Sequence, residues 1–235
     1  MQHIRAVTLD LDDTLWAVGP VIERAEVLLW RWLNSNYPGI GERWSSEAIV
    51  RLRNNIVADY PDRSHDFRFL RKKTLAHVAV DSGYSAELVD PAFDVFDAAR
   101  NAVQLYPDVI EVLDWLARHF TVIAVTNGNA NLQTIGIDHY FDGIVSSVSV
   151  GVAKPAQPIF DEAVRQSGVV SGDILHVGDH PLTDVSGAQR AGLLAAWINR
   201  DGATWPDEHP PADVEIADMH ELQRLLAGAV PASAT

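Results

Sequence analysis

Near its N-terminus the chain reads Ile4-Arg5-Ala6-Val7-Thr8-Leu9-Asp10-Leu11-Asp12-Asp13-Thr14-Leu15. The run from Ile4 to Leu9 predicts a buried strand, and two carboxylates stand where that strand ends. Residues i and i+2 of an extended segment point the same way, so we expect Asp10 and Asp12 to meet at one site. Two close carboxylates repel unless one is protonated or a cation lies between them. Oxygen ligands of this kind suit a hard divalent cation such as Mg²⁺.

The composition limits the classes of protein to which the chain can belong. It has 235 residues, 47% of them hydrophobic, and a formal net charge of −14. That charge argues against non-specific binding to nucleic acid or to an anionic membrane. The absence of cysteine excludes disulfides and thiolate chemistry. The N-terminal residues lack the apolar core of a signal peptide, and no apolar run approaches the roughly 20 residues that span a bilayer. We therefore expect a cytoplasmic protein with neither a membrane nor a nucleic-acid partner.

Further short apolar runs alternate with segments of helical period. The expected strands are residues 121–126, 174–177 and 194–198, with weaker candidates at 143–146 and 214–216. The expected helices between them are residues 109–118, 159–166 and 183–191, the last one ending at Gly192. This alternation is typical of βαβ units. It predicts an α/β fold, in which a Rossmann-like parallel sheet is flanked by helices.

The segment between the first strand and residue 105 has a different pattern. It contains several stretches of helical period and no convincing strand. We therefore expect an all-helical domain inserted into the α/β core. The predicted boundaries are residues 1–16 and 105–228 for the core, 17–104 for the helical insert, and 229–235 for a flexible tail.

Polar residues follow several of the expected strands. Thr126-Asn127-Gly128 follows one strand and precedes a predicted helix, whose N-terminus could hold a phosphate oxygen. Lys154, which precedes Pro155, is a compact positive charge after a turn. Asp179 follows another strand, and Asp184 lies five residues further on. Ligands of open parallel sheets bind beyond the carboxyl ends of the strands, so we expect these residues to converge with the two N-terminal carboxylates.

Each of these features also has a plainer interpretation. Paired aspartates are often helix caps or solvated turns, a Thr-Asn-Gly segment is more often a turn than a binding site, and most lysines lie on the surface. Four such features in one order are much harder to obtain by accident than any one of them.

In this order the motifs resemble those of the haloacid-dehalogenase (HAD) superfamily of phosphohydrolases. They are Asp10-Leu-Asp12-Asp-Thr14, Thr126-Asn127, Lys154-Pro155 and Gly178-Asp179 followed by Asp184. The resemblance covers nearly the whole chain and implies an HAD core with a helical C1-type cap. It also implies a Mg²⁺-dependent phosphoric monoester hydrolase that works through an aspartyl-phosphate.

The resemblance gives the matched residues catalytic roles. Asp10 would attack phosphorus, and Asp12 would protonate the leaving alcohol and later deprotonate water. The residues implied to bind the phosphoryl group are Thr126, Asn127, Gly128 and Lys154. Dehalogenases of the superfamily lack an acid at the second position, because a halide leaving group needs no proton. The presence of Asp12 therefore favours phosphate-ester hydrolysis.

The resemblance also implies a set of ligands for Mg²⁺. They are the Asp10 carboxylate, the backbone carbonyl of Asp12 and the Asp179 carboxylate. Asp184 would support this site.

Three stretches resemble more narrowly a bacterial branch of flavin-pathway phosphatases. They are residues 10–16 with 20–24, residues 126–130, and residues 174–179 with 183–192. That branch acts on FMN and on 5-amino-6-(5-phosphoribitylamino)uracil, a riboflavin precursor. One departure is His180, where the branch tends to carry a second acid after Asp179.

The helical insert leaves the choice of substrate open. Its basic residues Arg68, Arg71, Lys72 and Lys73 stand among aromatic residues. This pattern predicts either a lining for a phosphorylated ring compound or a solvated basic helix face over a core.

Several functions are therefore compatible with the sequence. The first is a phosphatase for a small phosphorylated metabolite, and the enzymatic alternatives are a sugar-phosphate phosphatase and a phosphomutase. The non-enzymatic alternative is a catalytically silent binding module. Both a monomer and a homodimer remain open.

Overall fold

The computed structural model describes residues 1–230, without the side chain of residue 46. The last five residues of the predicted tail, 229–235, therefore lie outside the described residues. The described chain divides into two compact units. The first contains Met1–Ala17, Gln104–Gly128 and the chain from Leu132 onward, and the second contains Val18–Val103 and Asn129–Asn131.

The first unit is built on a sheet of parallel strands. Within the described residues the strands are β1 (Ala6–Leu9), β2 (Thr121–Thr126), β3 (Gly143–Ser146), β4 (Ile174–Gly178), β5 (Leu194–Ile198) and β6 (Val214–Ile216). Their spatial order is β3-β2-β1-β4-β5-β6. All residues of β1 and β4 are buried, as expected for inner strands of a parallel sheet covered on both faces. The predicted α/β fold with a parallel sheet flanked by helices is confirmed.

Both units contain helices. Among the described residues they are α1 (Val18–Asn36), α2 (Pro38–Arg43), α3 (Ser46–Asp59), α4 (Phe67–Asp81), α5 (Val89–Asn101), α6 (Val109–His119), α7 (Leu132–Ile135), α8 (Ser147–Val150), α9 (Gln157–Ser167), α10 (Gly187–Arg190) and α11 (Met219–Leu226). The first five belong to the second unit. In the first unit, α9 buries Ile159, Phe160 and Ala163 against the same core as Ala6 and Ile123, because these apolar residues recur at helical spacing.

Two predicted helices of the first unit differ from the structure. The helix predicted over 183–191 is a π-helical turn, Pro181–Ser186, followed by α10. Gly192 ends it with a φ of +80°, a conformation that glycine adopts at little cost. The helix predicted directly after Gly128 is the short α7, which begins only at Leu132. Gly128 N donates instead to Thr126 Oγ1 at 2.8 Å, and such a local bond competes with helix formation.

The second unit has its own apolar core. α1 packs along α5, and α4 packs against both α3 and α5. Buried residues at this core include Leu29, Leu33, Phe93 and Phe96. Among the residues that the structure describes, no helix combines the length and the apolar character needed to cross a membrane.

The basic residues of α4 have partners within this same unit. Arg68 pairs with Asp97 at 3.0 Å, Arg71 with Glu26 at 2.8 Å and Lys72 with Asp90 at 2.7 Å, and Lys73 lies 5.3 Å from the Phe69 ring. The Arg71 guanidinium also lies 3.5 Å from the centre of the Phe96 ring. These contacts favour the structural interpretation of the basic stripe over a ligand lining.

Arg200, two residues beyond β5, fastens the loop after β1 to the rest of the first unit. Its Nε and Nη2 donate to the carbonyl oxygen of Thr14 at 3.1 and 3.0 Å. Its Nη1 and Nη2 donate to the two carboxylate oxygens of Asp108 at 3.2 and 3.0 Å. Asp108 also accepts a bond from Met219 N at 2.7 Å. Because both charged side chains are largely buried, this pair fixes the loop more firmly than a surface pair would.

We expect Arg200→Ala to lower the free energy of unfolding by about 3 kcal/mol, because it leaves the Asp108 carboxylate buried without its counter-ion. The matched control is Arg118→Ala, which removes an exposed i,i+4 pair with Asp114 and should cost less than about 1 kcal/mol. Denaturant unfolding followed by circular dichroism measures both. Equal losses for the two variants would contradict the structural role of Arg200.

Candidate active site

The site lies where the carboxyl ends of the central strands meet. Leu9, the last residue of β1, is in register with Ala124 of β2 on one side and with Val177 of β4 on the other. The ladder continues for one residue, because Asp10 N donates to the carbonyl oxygen of Val177 at 2.9 Å. The strand order therefore places Asp10, which is only 7% exposed, between the loops that follow β2 and β4.

Lys154 is the positive centre of the site. Its Nζ lies 2.5 Å from Asp10 Oδ1 and 2.6 Å from Asp184 Oδ1. The lysine side chain is 2% exposed. Burial alone would lower the pKa of Lys154, but the two carboxylates outweigh it and raise that pKa above its ordinary value. The ammonium group therefore stays charged throughout the physiological range.

The backbone of Lys154 is held by Asn127. Lys154 N donates to Asn127 Oδ1 at 2.6 Å, and Asn127 Nδ2 donates to the carbonyl oxygen of Lys154 at 3.0 Å. The Asn127 carbonyl oxygen in turn accepts from Ser147 Oγ at 3.1 Å. The Asn127 side chain thus ties two loops together, which leaves its backbone N–H as the group that could face a phosphate.

Three carboxylates surround this single ammonium. Asp10, Asp179 and Asp184 each place an oxygen within 4.8 Å of the other two. Burial and the neighbouring Asp184 and Asp13 carboxylates raise the pKa of Asp179 to about 7. Burial also raises the pKa of Asp10 well above its ordinary value, despite Lys154. For Asp184 the effect of burial is outweighed by Lys154 and His176, and its pKa is lowered. When all three carboxylates are ionised, the cluster carries more negative charge than Lys154 offsets.

This imbalance is the property expected of a cation site. The donor set consists of carboxylate oxygens, which hard divalent cations prefer. A bound cation would remove the repulsion that raises the pKa values of Asp10 and Asp179. The aspartate cluster therefore fits a metal ion.

The Asp12 carboxylate lies apart from the three-carboxylate cluster that Asp10 forms with Asp179 and Asp184. Asp12 Oδ1 instead accepts a bond from Trp16 Nε1 at 2.9 Å. β1 ends at Leu9, before both acids, and Asp13 has a φ of +60°.

The remaining predicted residues lie around the same centre. Thr126 is the buried last residue of β2, and its Oγ1 accepts from Gly128 N. Thr14 Oγ1 lies 3.4 Å from Asp179 Oδ1. His180 Nδ1 accepts from the backbone N–H groups of Leu182 and Thr183, and so caps the π-helical turn.

Some supporting residues were not identified from the sequence. His176 Nε2 lies 3.3 Å from Asp184 Oδ1, and its Nδ1 lies 2.8 Å from Thr8 Oγ1. The only signal for His176 was a histidine inside an apolar strand. Gly178 was part of a matched motif, and the structure gives the reason, because a Cβ on it would lie 2.6 Å from Asp184 Cβ. Glycine is therefore required for Asp184 to approach the strand end.

The comparisons with known proteins agree with this geometry. Residues 4–192 match the family of haloacid dehalogenase-like hydrolases. The chain belongs to this family. It is 31% identical to the 5-amino-6-(5-phospho-D-ribitylamino)uracil phosphatase YigB of Escherichia coli strain K12, over 95% of this chain and 97% of that protein. It is 32% identical to a glyceraldehyde 3-phosphate phosphatase of Methanopyrus kandleri, over 94% of each chain.

A solved structure of a 2-haloacid dehalogenase from Pseudomonas syringae pv. Tomato DC3000 is also similar to this HAD-family chain. Its TM-score is 0.90 at 37% identity, and the match covers 95% of this chain and 98% of that one. The predicted family and the predicted enzyme class, a hydrolase, are confirmed.

From the raised pKa of Asp179 we predict that the effect of a metal ion on stability depends on pH. Its folded pKa of about 7 exceeds the ordinary value of 3.8, so the folded chain binds more protons between these values. The free energy of unfolding therefore falls as the pH rises through this window in the metal-free protein. A divalent cation binds the ionised carboxylates and should raise Tm by roughly 5 °C or more at about pH 8 and by clearly less at about pH 5.

Thermal melts of the EDTA-treated protein, with and without Mg²⁺, measure this difference. Asp179→Asn should abolish most of it, and Asp161→Asn, which changes an exposed carboxylate on α9, should leave it unchanged. If Mg²⁺ raised Tm equally at both pH values, competition between protons and the cation for this cluster would be ruled out.

Proposed function

We propose that the protein is a phosphatase that hydrolyses small phosphate monoesters through an aspartyl-phosphate on Asp10. The supporting observation is the buried Asp10 carboxylate, held by Lys154 beside Asp179 and Asp184. A second acid, Asp12, lies two residues away in the same loop. Phosphoryl transfer depends mainly on positioning and on neutralising charge, and this site provides groups for both.

Each residue has a defined part in the two half-reactions. An oxygen of Asp10 attacks phosphorus, and the bond from phosphorus to the leaving oxygen breaks while Asp12 gives that oxygen a proton. Water then attacks the phosphorus of the aspartyl-phosphate and gives a proton to Asp12. The bond between Asp10 and phosphorus breaks, and inorganic phosphate leaves.

The other residues orient and neutralise the phosphoryl group. Lys154 offsets negative charge on Asp10 and on the phosphoryl oxygens. The Thr126 hydroxyl and the backbone N–H of Asn127 bind those oxygens from the loop after β2. The N–H of Gly128, also predicted to bind phosphate, donates to Thr126 Oγ1 and orients that hydroxyl. We propose Mg²⁺ as the cation, held by Asp10, Asp179 and the backbone carbonyl of Asp12, with Asp184 in support. When bound, it would add positive charge where the attacking and transferring groups repel.

The similar haloacid dehalogenase structure makes dehalogenation the main competing chemistry. A halide ion leaves without a proton, whereas an alkoxide needs one. Asp12 supplies that proton, so it favours the phosphatase. If chloride were released from 2-chloropropionate faster than phosphate is released from every tested ester, dehalogenation would become the favoured activity.

We expect Asp10→Asn to lower phosphate release from 4-nitrophenyl phosphate by at least about a thousandfold, because an amide cannot form the aspartyl-phosphate. Circular dichroism and a thermal melt should show that the variant remains folded. The matched control is Asp13→Asn, which changes a neighbouring acid in the same loop, and it should keep activity within about threefold of the wild type. Asparagine tolerates the positive φ of residue 13. Near-normal turnover by Asp10→Asn would remove Asp10 as the nucleophile.

We further propose FMN or the phosphorylated riboflavin precursor as the substrate, in a cytoplasmic enzyme. The support is the similarity to YigB, together with the motif stretches that resemble the flavin-pathway branch. The similarity to a glyceraldehyde 3-phosphate phosphatase, at 32% identity, supports a sugar-phosphate phosphatase as the second candidate. We also propose that the helical unit acts as a cap that selects the leaving group.

A panel of phosphate esters separates these substrates. We expect kcat/KM for FMN or 5-amino-6-(5-phosphoribitylamino)uracil to exceed that for glyceraldehyde 3-phosphate by about tenfold or more, as one or two specific contacts would produce. Phosphorus NMR of the products should show inorganic phosphate and no isomerised ester, which excludes a phosphomutase. A preference for glyceraldehyde 3-phosphate would contradict the flavin assignment. If no ester gave EDTA-sensitive phosphate release, the silent binding module would be favoured.

A further inference from the structure

Trp16 is a fully buried residue with no part in the chemistry described so far. Its indole Nε1 donates to Asp12 Oδ1 at 2.9 Å. A buried indole N–H needs a hydrogen-bond acceptor, and a backbone carbonyl would be enough if the bond were needed only for stability. Here the acceptor is the side chain of Asp12, the proposed acid and base.

The backbone holds the indole and the carboxylate in one fixed relation. Asp13 N donates to the carbonyl oxygen of Trp16 at 2.8 Å, and Leu15 N donates to that of Leu11 at 2.8 Å. Trp16 also forms an antiparallel bridge with Leu105. The loop is therefore closed on itself and joined to a neighbouring segment, and the fully buried ring is held in place by packing.

The chemistry of the indole group selects one oxygen of Asp12. An indole N–H is a donor only, so the oxygen that it faces must be an acceptor in both protonation states. Oδ1 faces the indole, and since the carbonyl oxygen of a protonated carboxyl group is the better acceptor, the bond favours a proton on Oδ2. The hydrogen bond fixes the rotation of the group and so sets the direction in which Oδ2 points.

We propose that Trp16 is a positioning residue that orients Asp12 so that Oδ2 exchanges the proton in both half-reactions. This inference rests on the proposed phosphatase function. In the first half-reaction the bond between phosphorus and the leaving oxygen breaks with its electron pair on that oxygen, which takes the proton from Oδ2. In the second, water attacks phosphorus and returns a proton to Oδ2, and the electron pair of the Asp10–phosphorus bond returns to the Asp10 carboxylate.

The test is whether the loss of kcat/KM in the Trp16→Phe variant depends on the leaving group. Phenylalanine keeps most of the ring in the core and removes the N–H. We expect kcat/KM to fall about tenfold for an aliphatic phosphate monoester, whose leaving oxygen needs the proton. For 4-nitrophenyl phosphate, whose leaving group is a weak base, we expect a fall of less than about threefold. Loss of packing alone would lower both values by the same factor.

Two controls separate a positioning role from a structural one. Trp115→Phe makes the same exchange at a partly buried position on α6 and should leave both values within about twofold. In an Asp12→Ala background, Trp16→Phe should add no further loss for the aliphatic ester, because the group on which it acts is gone. An equal fall for both esters, or an additive loss in the double variant, would overturn the assignment.

A spectroscopic measurement covers the case in which Trp16→Phe does not fold. The chain has seven tryptophans, and Asp12→Ala should shift the indole N–H resonance of Trp16 more than any other in the ¹H–¹⁵N spectrum. An unmoved Trp16 resonance would overturn the assignment without reference to activity. A folded wild-type protein that releases phosphate from neither ester would instead overturn the proposed function and the inference that rests on it.

Discussion

The ammonium group of Lys154, buried between Asp10 and Asp184, is the interaction on which the rest of this site depends. Removing three charged groups from water is costly, and the attraction between them compensates only at close range and in a good geometry. Other residues maintain that geometry. Asn127 holds both backbone polar groups of Lys154. Gly178 has no side chain where Asp184 approaches the end of β4. His176, itself braced by Thr8, contacts the Asp184 oxygen that also faces Lys154.

One lysine does not balance the charge of three carboxylates, and this imbalance gives the site its chemistry. Burial and like charge raise the pKa values of Asp10 and Asp179, so the metal-free cluster tends to hold protons where a cation would otherwise lie. Asp12 lies outside the cluster and is paired with Trp16. The two carboxylates of the first motif are therefore in different environments. One lies among charges suited to a nucleophile and metal ligand, and the other is held by a neutral donor suited to an acid and base.

The parts of this arrangement that were predictable are those recorded in local sequence. Apolar runs bounded by turns gave the strands, because inner strands of a parallel sheet are buried on both faces. Four motifs in order gave the family and the polar residues of the site. The missed details depend on bonds between side chains and the backbone. The Thr126 hydroxyl accepts from the Gly128 N–H in the loop, and the His180 ring caps the turn that becomes π-helical. Helical period carries no signal for either bond.

Short segments of the chain are enough to specify which strands form, which polar residues follow them and which family they match. Which of these groups meet depends on how the strands are ordered and packed. The strand order places β1 between β2 and β4, and this order brings Asp10, Lys154 and Asp184 together from positions up to 174 residues apart in the chain. The same packing pairs Trp16 with Asp12 and Arg200 with Thr14 and Asp108. The residue types and spacing of Trp16 and Arg200 do not identify their partners. Distance in the fold does.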